Sequence, residues 1–160
     1  MNPKIKTAIL TVSATRKMEE DTSGDRIENI LKKDENFSVI SREVLPDKKV
    51  RIKNRLRELC DEMKCELVIT TGGTGLGPYD LTPEATLDII DREVPGLPEL
   101  MRGEGSKYTK RAMLSRGVSG IRNKSLIINL PGSPTGAVQS LKAIIEIIPH
   151  SIHILKGGGH

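Results

Sequence analysis

Two kinds of residue here suit phosphate chemistry: glycine loops that follow apolar runs, and aspartates placed beside them. Thr70-Thr71-Gly72-Gly73-Thr74-Gly75 comes directly off the apolar stretch Glu66 to Thr71. Glycines let a backbone approach an anion closely, successive N–H groups can cradle phosphate, and threonine hydroxyls add donors. It is not a Walker A loop, because no Gly-Lys-Ser/Thr follows, and it is not the dinucleotide fingerprint GxGxxG. The competing reading is a tight strand-to-helix turn without a ligand. Pro131-Gly132-Ser133-Pro134-Thr135-Gly136 repeats the arrangement between an apolar run and a helix, with Ser133 supplying a hydroxyl and the helix its free N–H groups. A plain helix-entry turn is the alternative there. Asp47 follows the second apolar run and Asp80 lies eight residues past Gly72. A carboxylate beside a phosphate is electrostatically costly unless a cation joins them, and Mg²⁺ is the usual bridge. Taken singly, each is equally a surface turn aspartate.

Other reactive side chains argue for less. Cys60 and Cys65, the only cysteines, match neither a CxxC redox pair nor a four-ligand zinc pattern, and read as reduced core residues. His150 and His153 share a helical face but lack a third ligand nearby. The basic stretch Lys48 to Arg57 is most simply the solvated side of an amphipathic helix.

The elements that must position these loops follow from hydrophobic spacing. Lys6 to Val12, Phe37 to Leu45 and Glu66 to Thr71 read as strands. Helices are expected from Gly24 to Lys33, after Pro46-Asp47, and from Thr82, with Thr82 as N-cap, Pro83 at the first helical position and Pro95-Gly96-Leu97-Pro98 as the stop. Glu99 to Arg116 holds a helix and an irregular stretch. Val118 to Arg122 and Leu126 to Leu130 bracket Asn123-Lys124-Ser125 as a hairpin. A closing helix gathers Ala137, Leu141, Ile144, Ile145 and Ile148, and the tail Lys156 to His160 is expected to fray. This alternation predicts one domain over residues 1–160. It is an α/β, three-layer αβα sandwich with a mostly parallel sheet plus a short antiparallel hairpin. Ligands of such sheets bind beyond the carboxyl ends of the strands, where the loops after Val12, Leu45, Thr71 and Leu130 should meet.

Composition excludes several classes. The 160 residues contain no Trp, two Tyr and one Phe, so base-stacking nucleic-acid platforms lack their main ingredient. The net charge of +4 is too diffuse to argue for nucleic acid. No apolar run is long enough to span a membrane. The N-terminal apolar run is too short for a secretory signal and lacks a small-residue cleavage site, so a cytoplasmic protein is expected.

Taken together and in order, the motifs resemble a known family. TTGGTG, Asp80, Thr82-Pro83-Glu84-Ala85, Ala112-Met113-Leu114-Ser115-Arg116, Gly120-Ile121-Arg122 and Leu126-Ile127-Ile128-Asn129-Leu130-Pro131-Gly132-Ser133-Pro134 are similar to the MoaB/Mog family of molybdenum-cofactor biosynthesis. The domain type also occurs in gephyrin, and the resemblance covers essentially the whole chain. It implies a molybdopterin adenylyltransferase, which moves AMP from Mg-ATP to the terminal phosphate of molybdopterin and releases pyrophosphate. It also implies a homotrimer and hand-over of the product to a metal-insertion protein. A non-catalytic molybdopterin-binding carrier or scaffold trimer is the alternative. The family's two functional aspartates match Asp47 and Asp80, which would hold Mg²⁺ and orient the phosphates. Thr71, Gly72, Gly73, Thr74 and Gly75 would bind phosphate. Ser13, Ser23 and Gly24 would line the pterin-phosphate side. Ser115 and the Pro131, Gly132 and Ser133 loop would help hold the substrate. Two positions depart from the pattern: Tyr79 stands where many relatives carry a basic residue, and Lys48 where an acidic one is expected.

Overall fold

The computed structural model describes residues 3–160; Met1 and Asn2, the start of the N-terminal stretch considered above for a secretory signal, lie outside the described residues. Six strands, β1 (Ile5–Val12), β2 (Phe37–Leu45), β3 (Leu67–Thr71), β4 (Arg92–Glu93), β5 (Ser119–Arg122) and β6 (Ser125–Leu130), form one sheet. Its order is β2-β1-β3-β6-β5-β4. The first four of that order run parallel, while β5 is antiparallel to both β6 and β4. The helices are α1 (Thr22–Lys33), α2 (Lys49–Arg57), α3 (Thr82–Ile89), α4 (Gly96–Ser106), α5 (Pro134–Ile144) and α6 (Ile148–Leu155). The expected α/β sandwich and its hairpin are both present.

Side chains alternate across a strand, so each buried strand feeds two cores. Ile5 and Ile9 of β1, with Leu67, Ile69, Leu126 and Ile128, pack on one face against α1, α4, α5 and α6 through Ile27, Leu31, Met101, Leu141 and Ile152. Ala8, Leu10 and Val12, with Val68 and Ile127, pack on the other face against α2 and α3 through Ile52, Leu56, Ala85 and Ile89. Burying each such large aliphatic side chain is worth ~1.5–3 kcal/mol. With so few rings in the sequence, both cores are aliphatic, and Phe37 is the one aromatic buried in either.

Helix α1 shows how local chemistry and packing agree. Asp21 caps it, accepting from Gly24 N at 3.0 Å. The same fully buried carboxylate accepts from Thr11 Oγ1 at 2.7 Å and pairs with Arg42 at 3.2 Å, so one cap also joins β1 and β2. A Cβ on Gly24 would collide with Asp21.

Several expectations need correcting. Thr82 does not cap α3: Leu81 is the N-cap, and the Thr82 hydroxyl is buried without a hydrogen-bond partner among the described residues. Pro95-Gly96-Leu97-Pro98 does not stop α3, which ends at Ile89; it opens α4 instead. Proline suits the first turn of a helix as well as the residues after one, so the motif alone does not separate these roles. The closing helix is not continuous. It breaks after Ile144 into a 3₁₀ turn over Ile145–Ile147, and α6 restarts with Pro149 in its first turn. The tail does not fray at its start: Gly157 N donates to Ile154 O and Gly158 N to His153 O, with Gly157 at φ +94°.

The four parallel strands end level with one another. Val12 pairs with Leu45, Thr11 with Thr71, and Thr71 with Leu130. Two backbone bonds continue past the ends, Ser13 N to Leu45 O (2.9 Å) and Gly72 N to Leu130 O (3.2 Å). Gly72 sits at φ +99°, and a Cβ there would strike the Val12 carbonyl. Gly72→Ala is therefore expected to lower stability by about 1–3 kcal/mol. In urea unfolding the midpoint should fall while the slope stays constant.

Candidate functional site

Loops that leave four strands at one level must crowd together. The glycine loop and the Pro131 loop touch directly. Thr71 Oγ1 donates to Pro131 O at 2.6 Å, and a Cβ on Gly132 would lie 3.2 Å from the Gly72 Cα. Gly73, at φ +69°, presses against the Thr82 side chain, and its carbonyl accepts from Thr82 N. Gly72 and Gly73 are thus required first by loop-on-loop packing. Among the described residues, the N–H groups of Gly73, Thr74 and Gly75 meet no protein acceptor, which leaves them as donors for an anion.

From Gly75 the chain makes an exposed loop that returns at Asp80. The Asp80 carboxylate folds back onto that loop and accepts from Gly77 N at 2.9 Å. A Cβ on Gly75 or Gly77 would come within 2.8 or 2.9 Å of it, so both glycines make room for the carboxylate. Tyr79, 75% exposed, is held outside, so a basic residue there would stand at the rim.

Asp80, Gly73, Thr74 and Gly75 form one wall of a cavity of about 580 Å³. Pro131, Gly132 and Ser133 with the start of α5 form another. The third comes from α4 and the turn after it, through Met101, Arg102, Arg111 and Ser115. Ser133 caps α5 by accepting from Gly136 N at 3.1 Å. The helix N-terminus and two guanidinium groups make this cavity attractive to anions. A smaller cavity of about 400 Å³ lies on the side of β1 and β2, lined by Ser13, Arg16, Lys17, Glu43 and Pro46.

Asp47 belongs to the wall of neither cavity but is close enough to Asp80 for the two charges to interact. Burial, and then the Asp80 charge, push the Asp47 carboxyl above its ordinary range; the polarity of the nearby Ala14 N–H opposes them. The Asp80 charge thus reaches Asp47 across the loops after β2 and β3.

The remaining expected residues divide. Ser115 lines the large cavity, while its hydroxyl accepts from Gly117 N at 3.3 Å. Ser13 lines the small one and closes its own loop, accepting from Arg16 N at 3.1 Å. Ser23 is fully buried and donates to Gly132 O at 2.7 Å; Gly24 lies behind it against Asp21. Both hold the loops together from below rather than facing either cavity. Sequence reading missed Arg102 and Arg111, whose only signal was positive charge in the ambiguous 99–116 stretch. The three imidazoles His150, His153 and His160 are neighbours, yet no group of three His, Cys, Asp or Glu among the described residues is placed to hold a metal.

A mostly parallel sheet whose glycine loops, hydroxyls and guanidinium groups line one cavity at the strand ends is a fold suited to anionic small molecules. The chain belongs to the family described as probable molybdopterin binding domain, which matches residues 8–150. It is 42% identical over 145 residues to the molybdopterin adenylyltransferase of Helicobacter pylori strain J99, covering 90% of this chain and 82% of that protein. Over 126 residues it is 40% identical to that of Escherichia coli K12, covering 71% and 65%. Among solved structures it is similar to the molybdopterin biosynthesis enzyme MoaB of Thermus thermophilus, at 46% identity and a TM-score of 0.87, covering 94% and 96%. The Mog protein of Mycobacterium ulcerans is similar at 32% identity and a TM-score of 0.87, covering 97% and 99%.

A carboxyl whose folded pKa is raised favours the protonated fold. Its ionised form therefore costs stability at neutral pH, and that cost disappears as pH falls below the unfolded value. Asp47→Asn is expected to raise the melting temperature at pH 7, with the gain shrinking as pH falls through the carboxylate range. A lower melting temperature at pH 7 would show that the Ala14 N–H outweighs burial and the Asp80 charge.

Proposed function

We propose that this chain adenylylates molybdopterin in molybdenum-cofactor biosynthesis, with Mg-ATP as donor. A terminal phosphate oxygen of molybdopterin attacks the α-phosphorus of ATP. A new P–O bond forms, the bond to the bridging oxygen breaks, and pyrophosphate leaves. The observation that carries this reading is that the glycine loop, Asp80 and the Pro131 loop wall one cavity at the strand ends, while a second cavity lies beside Leu45 and Pro46, at the start of the Asp47 loop. A reaction between two anions needs two binding spaces and a shared point where negative charge is managed.

The donor set fits Mg²⁺. Asp47 and Asp80 would supply hard oxygen ligands, and a divalent cation would offset the influence of the Asp80 charge on Asp47. Mg²⁺ characteristically takes one or two carboxylates and completes its shell with phosphate oxygens and water. Bound there, it would neutralise charge on the phosphates as they approach. The chain's own contribution is positional. The free N–H groups of Gly73 to Gly75 and the N-terminus of α5 bind phosphate oxygens, Arg102 and Arg111 draw anions into the large cavity, and Asp47 and Asp80 fix where the reacting phosphates meet. Ser13, with Arg16 and Lys17, offers the small cavity for the second substrate's phosphate. No covalent enzyme intermediate is required.

A homotrimer and hand-over to a metal-insertion protein rest on the family likeness; residues 1–160 acting as one domain and a cytoplasmic location rest on the sequence pattern. No helix among the described residues is long and apolar enough to cross a membrane.

The test is transfer of AMP from Mg-ATP to molybdopterin by the purified protein. Asp80→Ala is expected to lower kcat by ~10²-fold or more with little change in melting temperature, because Asp80 sits on an exposed loop outside the cores. Molybdopterin binding without ATP turnover would instead favour the carrier reading.

A further inference from the structure

Two motifs, Thr82-Pro83-Glu84-Ala85 and Ala112 to Arg116, carry an acidic and a basic residue that the proposed chemistry does not use. In the structure these two residues meet. Arg116 Nη1 donates to Glu84 Oε2 at 2.7 Å and Nη2 to Glu84 Oε1 at 3.1 Å, a bidentate pair. The other bonds of Arg116 all go to the loop that carries Asp80. Its backbone N donates to Thr74 O at 2.8 Å, its Nε to Gly75 O at 2.8 Å, and its Nη2 to Asp80 O at 2.7 Å.

We propose that Arg116, oriented by Glu84, is a positioning residue for Asp80: it clasps both ends of the Gly75–Asp80 loop and so sets where that carboxylate stands. The inference rests on the adenylyl-transfer reading of the site.

The loop has little else to hold it. Leu76, Gly77, Pro78 and Tyr79 are all exposed and belong to neither core. Among the described residues, the Asp80 carboxylate accepts only from Gly77 N, inside the same loop. The guanidinium is the one group among them that bonds both Gly75 and Asp80 carbonyls. A planar fork with five fixed donors can serve two carbonyls and a carboxylate at once; a lysine ammonium cannot reproduce that geometry. Glu84 supplies the counter-charge, and its hydrogen bond from Arg116 holds its carboxyl below the ordinary range. Misplacing a reacting group by about 1 Å can cost ~10²-fold in rate.

The experiment is a double-mutant cycle in the AMP-transfer assay with wild type, Arg116→Lys, Asp80→Asn and the double variant, read beside hydrogen exchange at the Gly77 and Asp80 amides. Arg116→Lys is expected to lower kcat by ~10–100-fold, to change the KM for molybdopterin by less than about threefold, and to speed exchange at both amides. In the Asp80→Asn background the same change should cost less than about threefold, because the residue acts through Asp80. Glu84→Gln should give a smaller loss in the same direction, and it is the variant read if Arg116→Lys does not fold. Multiplicative losses in the cycle, a change confined to KM, or unaltered amide exchange would overturn the proposal. Wild-type protein that transfers no AMP, while amide exchange still responds to Arg116→Lys, would defeat the adenylyl-transfer reading and leave the clasp standing.

Discussion

Everything at this site depends on four parallel strands that end flush. The pairings of Val12 with Leu45, Thr11 with Thr71 and Thr71 with Leu130 put four loop origins on one line. Register in such a sheet is enforced by alternation: sliding β3 by one residue would turn Leu67 and Ile69 to the wrong core and Val68 to the other. It would also draw the glycine loop away from Val12 and Leu130. The two aliphatic cores therefore hold the loops in place, and the loops need only be short and compatible with close contact.

That closeness explains the kinds of residue found there. Gly72 and Gly132 pass within van der Waals distance because neither has a side chain. Ser23 and Thr71 donate to the Gly132 and Pro131 carbonyls from below. What remains on the upper side is backbone N–H, hydroxyl and carboxylate. The two tyrosines stand outside on the surface, so the large cavity is built without an aromatic wall. The Asp47–Asp80 pair works against folding. Burial and the Asp80 charge both disfavour an ionised Asp47.

Much of this was legible in the sequence, for identifiable reasons. Five of the six strands and α1 were clear because their apolar spacing is regular and their neighbours are turn formers; β4, two exposed charged residues at the sheet edge, has no such signal. Both glycine loops could be placed at the strand ends because each follows a strand directly, whereas Asp47 and Asp80, taken singly, read equally as surface turn residues. The errors have causes too. Thr82-Pro83 looks like a cap because threonine and proline favour helix starts, but the Thr82 hydroxyl is turned towards Gly73. Pro95 to Pro98 reads equally as a stop or a start. Arg102 and Arg111 carried no recognisable spacing, since they lie on α4 and on the 3₁₀ turn over Lys110–Leu114.

By itself the sequence determined an aliphatic α/β chain with phosphate-type loops after its strands, because periodicity and glycine placement are local properties. Only the tertiary structure decided which loops are neighbours. The sheet order β2-β1-β3-β6 sets the Asp47 and Asp80 loops on either side of the loop after β1, seats the glycine loop beside the Pro131 loop, and buries Ser23 under Gly132. It also lets Arg116 reach Glu84, 32 residues earlier in the chain. Those pairings come from long-range packing of two cores, which no window of the sequence contains.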